Sequence, residues 1–471
     1  MKLAVVVQRY GADISGGAEL HARYIAERLA RHADVEVVTT CARDYITWKN
    51  ELPAGEEKIN GVTVRRFPVA HPRNTAEFGK LSHLVFEQPH SLNDELKWLE
   101  AEGPASPALT RHLQSVASAF DYFVFFSLRY YHAWHGARAV ASKAVLVPTA
   151  ERDPAMGLAI FAPVMRGARA LMYNSFEERA MIDALSHRKG PGVVVGVGSA
   201  IPDRTQPWRF KKKFNVRRPV ALYVGRIDEN KGCAELFSHF ERYSVMYPHG
   251  LDLVLIGSSV IPVPKHPRIR HLGFLSDEDK FDALTASDLL IMPSRYESLS
   301  MVALEAWALG KPVLANGFCD VLRGQCVRSN AGLYYESFEE FAEGLFLLDS
   351  TGPLGEVLGR NGRDFFRRHY SWTVIERKYL EMFDRLKREP VPELEPLPGF
   401  FARRTRNLPP GAKVIAAVPS APAVGRFTRS SRRSATATPS ATRCSASTAR
   451  CATPATSPRS SSRRSTAASK I

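Results

Sequence analysis

The chain has 471 residues, of which 45% are hydrophobic and 24% charged, and it carries a formal charge of +16. That length suits two or three domains with sizeable cores, and no run approaches the ~18 apolar residues of a membrane-spanning helix. The six cysteines (Cys41, Cys233, Cys319, Cys326, Cys444 and Cys451) show no CxxC or zinc-like spacing, which speaks against a cysteine metal site and for free thiols in a reducing, cytoplasmic compartment.

The start, Met1 to Gln8, is too short an apolar run for a signal peptide and reads as a first β-strand, with Val5 to Val7 at its centre. It passes into a loop ending at Gly16-Gly17. Ala18 to Arg31 follows as an amphipathic helix with Leu20, Tyr24, Ile25 and Leu29 on its apolar side. Val35–Val38 and Val62–Val69 read as strands, with Asn60-Gly61 as a turn. Residues 75–118 read as polar helix broken by Pro104 and Pro107. Tyr122–Phe126 and Ala144–Val147 are candidate buried strands, Ser175 and Glu178 form a capping box, and Val193–Val195 closes a first domain, 1–201.

Residues 202–218, dense in Lys and Arg, read as a linker. A second αβ set, 219–372, has strands at Val220–Val224, Leu253–Ile256, Ile269–Leu272, Leu289–Met292 and Val313–Ala315. Alternating β and α signals in both halves predict parallel, doubly wound sheets. Asp277-Glu278-Asp279 has the look of a metal-binding acidic triplet, but Ser276 followed by Asp279 reads better as a helix cap with acids on the helix dipole, so no metal is expected.

From 391 the chain is rich in Ser, Thr, Ala, Pro and Arg. After Glu395 there are 14 Lys and Arg and no acid, so the rest of the chain carries only +2 of the +16. Such a segment cannot offset its ordering entropy and is expected to be disordered over 391–471. Its removal after residue 390 is then expected to leave ligand binding and melting unchanged. It lacks the aromatic interleaving of a nucleic-acid arm, so nucleic acid is not an expected partner. An anionic membrane surface suits the charge equally, and out-of-frame translation of the last stretch would give the same composition.

The most informative segment is Glu297-Ser-Leu-Ser-Met-Val-Ala-Leu-Glu305, which follows the apolar run Leu289–Ser294. Eight residues of helix place the second acid roughly 80° around and ~12 Å along from the first. With Glu297 in the loop and Glu305 in the helix, the two acids grip separate parts of one ligand, and the N–H groups of Ser298, Leu299, Ser300 and Met301 form a helix N-terminus that receives an anion. Upstream, Leu222 to Gly232 reads as strand, turn and helix. Its cations Arg226 and Lys231 suit a diphosphate. A nucleotide sugar has this distribution of hydroxyls and charge.

The segments Val-Gly-Arg-Ile-Asp (224–228) with Lys231-Gly232, Gly-Phe-Leu-Ser-Asp-Glu (273–278), Pro293-Ser-x-Tyr-Glu-Ser298 and Val-Ala-Leu-Glu-Ala (302–306) resemble retaining glycosyltransferases of family 4 over residues 1–390. The resemblance implies a GT-B fold, two Rossmann-like domains facing a cleft, with a last helix (373–390) returning to the first domain. It implies that Glu297 contacts the donor sugar, that the amides around Leu299 to Met301 support sugar and phosphate, and that Glu305 holds the ribose. Arg226 and Lys231 would bind the diphosphate, and the backbone near Phe274 would meet the base. Gly16 and Gly17 would admit the phosphate, or else form a packing turn.

Two positions depart from that pattern. Glu151 stands where the family often has His, so either Glu151 takes the acceptor-side contact, or His132 or His135 moves in, or catalysis is impaired. Ser300 stands where the family often has Gly, with little loss expected. The implied activity is metal-independent, cofactor-free transfer of a hexosyl or N-acetylhexosaminyl group from a nucleoside-diphosphate sugar to a glycan or lipid-linked acceptor, with retention, in the cytoplasm or at the inner face of the cell membrane, as in polysaccharide biosynthesis. The alternative is a nucleotide-sugar-binding protein of the same fold that has lost catalysis.

Overall fold

The computed structural model describes residues 1–14, 16–349 and 353–420. The first domain is built on eight strands: β1 (Lys2–Val6), β2 (Asp34–Thr40), β3 (Gly55–Ile59), β4 (Val62–Phe67), β5 (Tyr122–Phe126), β6 (Ala144–Val147), β7 (Ala170–Tyr173) and β8 (Gly192–Val194). They lie in the order β3-β4-β2-β1-β5-β6-β7-β8, parallel except for the β3–β4 hairpin. The second domain has six parallel strands, β9 (Val220–Val224), β10 (Asp252–Ile256), β11 (Ile269–His271), β12 (Leu289–Met292), β13 (Val313–Asn316) and β14 (Gly332–Tyr335), in the order β11-β10-β9-β12-β13-β14.

The continuous apolar runs explain the central strands. Every residue of β5, β6, β7, β12 and β13 is buried, as strands covered by helices on both faces must be. β3 was not legible: Gly-Glu-Glu-Lys-Ile lacks alternation, and its pairing follows from the Asn60-Gly61 turn, whose φ values of 49° and 85° suit a tight hairpin. The 75–118 stretch resolves into Thr75–Glu87, Leu92–Glu102 and Pro107–Ser115, each started by a side-chain cap from Asn74, Ser91 or Ser106. Pro107 therefore opens a helix at a position where its missing N–H costs nothing.

Three expected boundaries differ. The 202–218 linker contains the helix Pro207–Lys213, which packs on Asp277–Ala286 of the second domain. Phe210 is buried there, and Arg209 and Lys213 bond Asp282 and Asp279 at 2.6 and 2.7 Å, so the basic residues face a complementary acidic helix. The return helix is Trp372–Leu386: Phe383 stacks on Tyr122 at 5.3 Å, and Trp372 meets Tyr24 edge-on at 5.6 Å.

The third difference lies in the tail. Residues 391–420, expected to be disordered, run along the first domain. Arg166 clasps both carboxylate oxygens of Glu395 (2.6 and 2.7 Å), Leu408 exchanges two backbone bonds with His90, and Ile415 and Val418 are buried. Composition hid this, because a few apolar residues and a row of arginines on the domain itself supply the anchorage. The rest of the tail, 421–471, lies outside the described residues.

In each sheet the strand order reverses direction once, between β1 and β5 and between β9 and β12. Ligand crevices of open α/β sheets form at the carboxyl ends of strands beside such points. The loops that leave β1, β6, β9 and β12 carry most of the predicted site residues, and they face one another across the cleft. Gly232 seals one of these junctions, with φ 73° and room for a Cβ only 2.2 Å from the Pro293 carbonyl oxygen that ends β12. Gly232→Ala is expected to destabilise by about 1–3 kcal/mol, the usual cost of such backbone strain, seen as a lower denaturant midpoint at unchanged slope.

Candidate functional site

The turn after β9 is organised by one carboxylate. Asp228 is buried; its Oδ1 accepts from the Lys231 backbone N–H at 2.7 Å and its Oδ2 from Arg226 Nε. Arg226 then reaches across the cleft, where its Nη1 donates to the hydroxyl of Tyr45 on the first domain. Lys231 Nζ donates to Glu297 Oε1 at 2.8 Å, which joins the β9 and β12 loops. Burial opposes the charge on Lys231, but Glu297 and Glu151 outweigh it and raise its pKa.

Glu151, on the loop after β6, faces this pair from the first domain. Its carboxyl is raised to about 7: burial pushes it up most, Lys231 pulls it down, Glu297 and Asp153 add to the rise, and Arg129 opposes it. The two histidines weighed against it lie elsewhere. His132 is fully buried with Nε2 2.9 Å from the Phe126 carbonyl oxygen, and burial lowers it to about 4. His135 pairs with Glu100 at 3.3 Å and packs on Tyr131 and Trp134. Glu151 alone of the three stands beside the Lys231–Glu297 pair.

Glu305 lies in the helix Met301–Ala308, buried, and is separate from that cluster. Its Oε1 accepts from Ser199 Oγ (2.7 Å) and Lys280 Nζ (3.3 Å). The two glutamates thus occupy different ends of the cleft, as the eight-residue spacing requires. Phe274 stands exposed in the loop after β11, and Ser298 accepts from Asn174 of the first domain at 3.4 Å.

The helix N-terminus begins later than expected. Ser300 is its cap, so Ser298 and Leu299 are loop residues, and Leu299 is buried. Ser300 has φ 73° and ψ 93°, a conformation that suits glycine, yet its Oγ accepts from Ala303 N at 3.3 Å. Cap and strain therefore oppose each other at one residue. The glycines at the first helix also divide. A Cβ on Gly16 would fall 2.2 Å from Glu19 Oε2, within the buried Arg9–Glu19 ion pair (2.6 Å), whereas one on Gly17 would meet nothing within 4 Å. Gly16 is a packing glycine, and Gly17 leaves the start of Gly17–Leu29 open.

Asp277, Glu278 and Asp279 lie in the first turn of their helix, capped by Ser276, and bond Lys280, Arg209 and Lys213. Several contributors were missed. Asp228 stood in plain sight between the two cations, but Tyr45, Ser199 and Asn174 gave no sequence signal, because only the approach of the domains brings them to the cleft. Glu178, expected to return to the N–H of its cap Ser175, accepts from the Asn174 N–H one residue earlier (2.5 Å) and from the Ala150 N–H (2.6 Å), and so fixes the base of the Glu151 loop.

Residues 204–365 match the family model described as glycosyl transferases group 1, so the chain carries a domain of that type. Over 420 residues it is 23% identical to an uncharacterized glycosyltransferase of Methanocaldococcus jannaschii, covering 81% of this chain and 98% of the relative. Among solved structures it is similar to sucrose-phosphate synthase from Thermosynechococcus elongatus, with TM-score 0.59 and 16% identity over 82% of this chain and 99% of that one. It is equally similar to Anabaena HepE in complex with UDP-glucose, with TM-score 0.59 and 16% identity over 82% and 100%. Those likenesses are of fold, and the fold is GT-B.

The geometry at Ser300 separates its two effects. Ser300→Ala keeps the unfavourable φ and loses the cap, for about 0.5–2 kcal/mol. Ser300→Gly loses the cap but relieves the strain and should cost only a few tenths. Equilibrium unfolding of the two variants is the check, and equal losses would contradict the assignment.

Proposed function

We propose that this chain is a retaining glycosyltransferase that moves a hexosyl or N-acetylhexosaminyl group from a nucleoside-diphosphate sugar to a glycan or lipid-linked acceptor. The observation that carries the reading is the Lys231–Glu297 bond across the β9 and β12 loops, with Glu151 set against it from the other domain. One cation and one carboxylate of the donor domain then meet one acid of the acceptor domain where a glycosyl group passes between substrates.

In this reading the diphosphate lies against Arg226 and Lys231, and no metal or other cofactor is required, because the two side chains supply positive charge where the leaving phosphate gains negative charge. Glu297, released from Lys231 as the donor enters, accepts bonds from sugar hydroxyls. Glu305 offers Oε2 to the ribose, both its present bonds falling on Oε1. Leu299 to Met301 line the sugar and phosphate, Ser298 joins them from the loop, and the backbone at Phe274 meets the base. Gly17 rather than Gly16 lets the first domain approach the phosphate. The leaving phosphate takes the acceptor proton on the same face, and Glu151 orients the acceptor hydroxyl. The setting would be cytoplasmic, at or near the inner face of the membrane.

Lys231→Ala is expected to lower turnover by about 10²–10³, the usual cost of removing one preorganised group that meets developing charge, with much less effect on folding. Unchanged turnover would refute its role. Glu305→Gln should raise donor KM, since ribose contacts persist in ground and transition states alike. Glu297→Gln should lower kcat more, because its contacts tighten as the sugar ring flattens. Equal effects on KM alone would reduce Glu297 to a binding residue.

A panel of UDP- and GDP-sugars read by thermal shift identifies the donor, which stabilises by mass action. Donor binding without transfer or donor hydrolysis would favour the binding-protein alternative. Glu151 acts here as the carboxylate, so kcat/KM should fall as pH drops through about 7, where the acid takes up its proton. Glu151→Gln should remove that acid limb.

A further inference from the structure

Residues 411–419 of the C-terminal segment lie directly behind the Glu151 loop. Arg152, the next residue, donates to the carbonyl oxygens of Ile415 (3.2 Å), Val418 (2.8 Å) and Pro419 (2.9 Å), which close the helix Gly411–Ala417. Its Nε also lies 3.3 Å from Asp320 Oδ2 of the second domain. One guanidinium therefore ties together the acceptor-side loop, the donor domain and residues 415–419 of the C-terminal segment.

The backbones meet as closely as the side chains. A Cβ on Gly157 would fall 2.2 Å from the Gly411 carbonyl oxygen, and one on Gly411 would fall 2.4 Å from that of Pro154. Two glycines in contact let the helix lie directly on the Pro154–Gly157 turn, which Asp153 caps at Ala155 N (2.8 Å). Upstream, the segment is held by Arg166 on Glu395, by Arg138 on the Glu395 carbonyl (3.4 Å) and by the His90–Leu408 pair. An unanchored tail would make none of these bonds.

We propose that residues 391–420 form a positioning strap of the active site, which holds the 149–157 loop and sets Glu151 against the Lys231–Glu297 pair. This rests on the role of Glu151 given above. It replaces the expectation that the chain can be cut after residue 390 without effect. Arg152 and Gly411 are positioning residues; neither contacts the reacting atoms. The groups that face Glu151 are Lys231, Glu297, Asp153, Arg129, Glu178 and Cys319. The strap contributes no charge among them, so its release acts on Glu151 by admitting water.

The test uses the full-length chain with Gly411→Val, Arg152→Ala and the two combined, Arg152→Lys as the conservative change, and UDP-glucose and GDP-mannose as probes. Hydrogen exchange reports release of 149–157 and 411–418, and nucleotide release reports turnover. The expected result is faster exchange in both segments and at least tenfold slower turnover, with donor dissociation constants within about twofold. The acid limb should move from near 7 toward the ordinary value of 4.5 as Glu151 is hydrated, with partial recovery in Arg152→Lys. Wild-type turnover and pH profile with the strap released would overturn the proposal. So would donor affinity and turnover falling together, or unchanged exchange in the double variant, since the contacts named would then not hold the strap. Glu151→Gln keeps the two readings apart. A wild-type pH profile in it would refute the role of Glu151, while slow turnover of Gly411→Val would still show that the loop must be held.

Discussion

The arrangement depends on keeping like charges apart at close quarters. Glu297 and Glu151 lie near each other in a partly desolvated cleft, and Lys231, with a smaller contribution from Arg129 on Glu151, makes that tolerable. Lys231 is fixed at both ends, its backbone N–H on Asp228 and its ammonium on Glu297. Without the Asp228 turn the lysine would have to be ordered at an entropic cost. Without the lysine the two acids could not both be ionised so close together. The β9 and β12 loops meet because this bond requires it, and Gly232 exists to let them.

Around that pair the molecule is layered by function. The second domain supplies the fixed charges and the helix Met301–Ala308, with Glu305 well away from Glu297. The first domain supplies Tyr45, Asn174 and Glu151, each from a loop at the carboxyl end of its sheet. Glu178 and Arg152 hold the Glu151 loop from two sides, one from the helix Phe176–Ser186 and one from the end of the described chain.

How much was legible in the sequence follows from which forces are local. The buried strands β5, β6, β9 and β12 announce themselves as apolar runs, and Ser276, Ser175 and Asn60-Gly61 act on residues only a few positions away. The Glu297–Glu305 spacing and the two cations also lie within single supersecondary units. β3 was hidden because its charged run lacks alternation and is held by the neighbouring strand, with Glu56 and Glu57 on Arg65 and Arg66, and the helix Pro207–Lys213 because its acidic partners Asp279 and Asp282 are distant in sequence. The start of the helix at Met301 slipped because a serine in a glycine-like conformation defines it, which no propensity foresees. Residues 391–420 read as unstructured because Arg138, Arg152 and Arg166, more than two hundred positions earlier, do the anchoring.

The contacts between the domains divide into two kinds. Near the substrate side they are polar: Arg226 with Tyr45, Asn174 with Ser298, Ser199 with Glu305, Arg152 with Asp320, and Arg328 with Glu177 at 2.9 Å. At the return helix aromatic contacts join the polar ones: Phe383 lies on Tyr122 and Trp372 against Tyr24 and across Gly198, while Glu376 pairs with His32 at 3.0 Å and Arg28 at 3.5 Å. Water replaces a polar bond at a net cost of only about 0.5–1.5 kcal/mol, but it cannot replace stacked rings. The molecule is thus bound like a book, with stacked rings at the spine and wet page edges: solvent competes for the bonds along the edges and not for the rings.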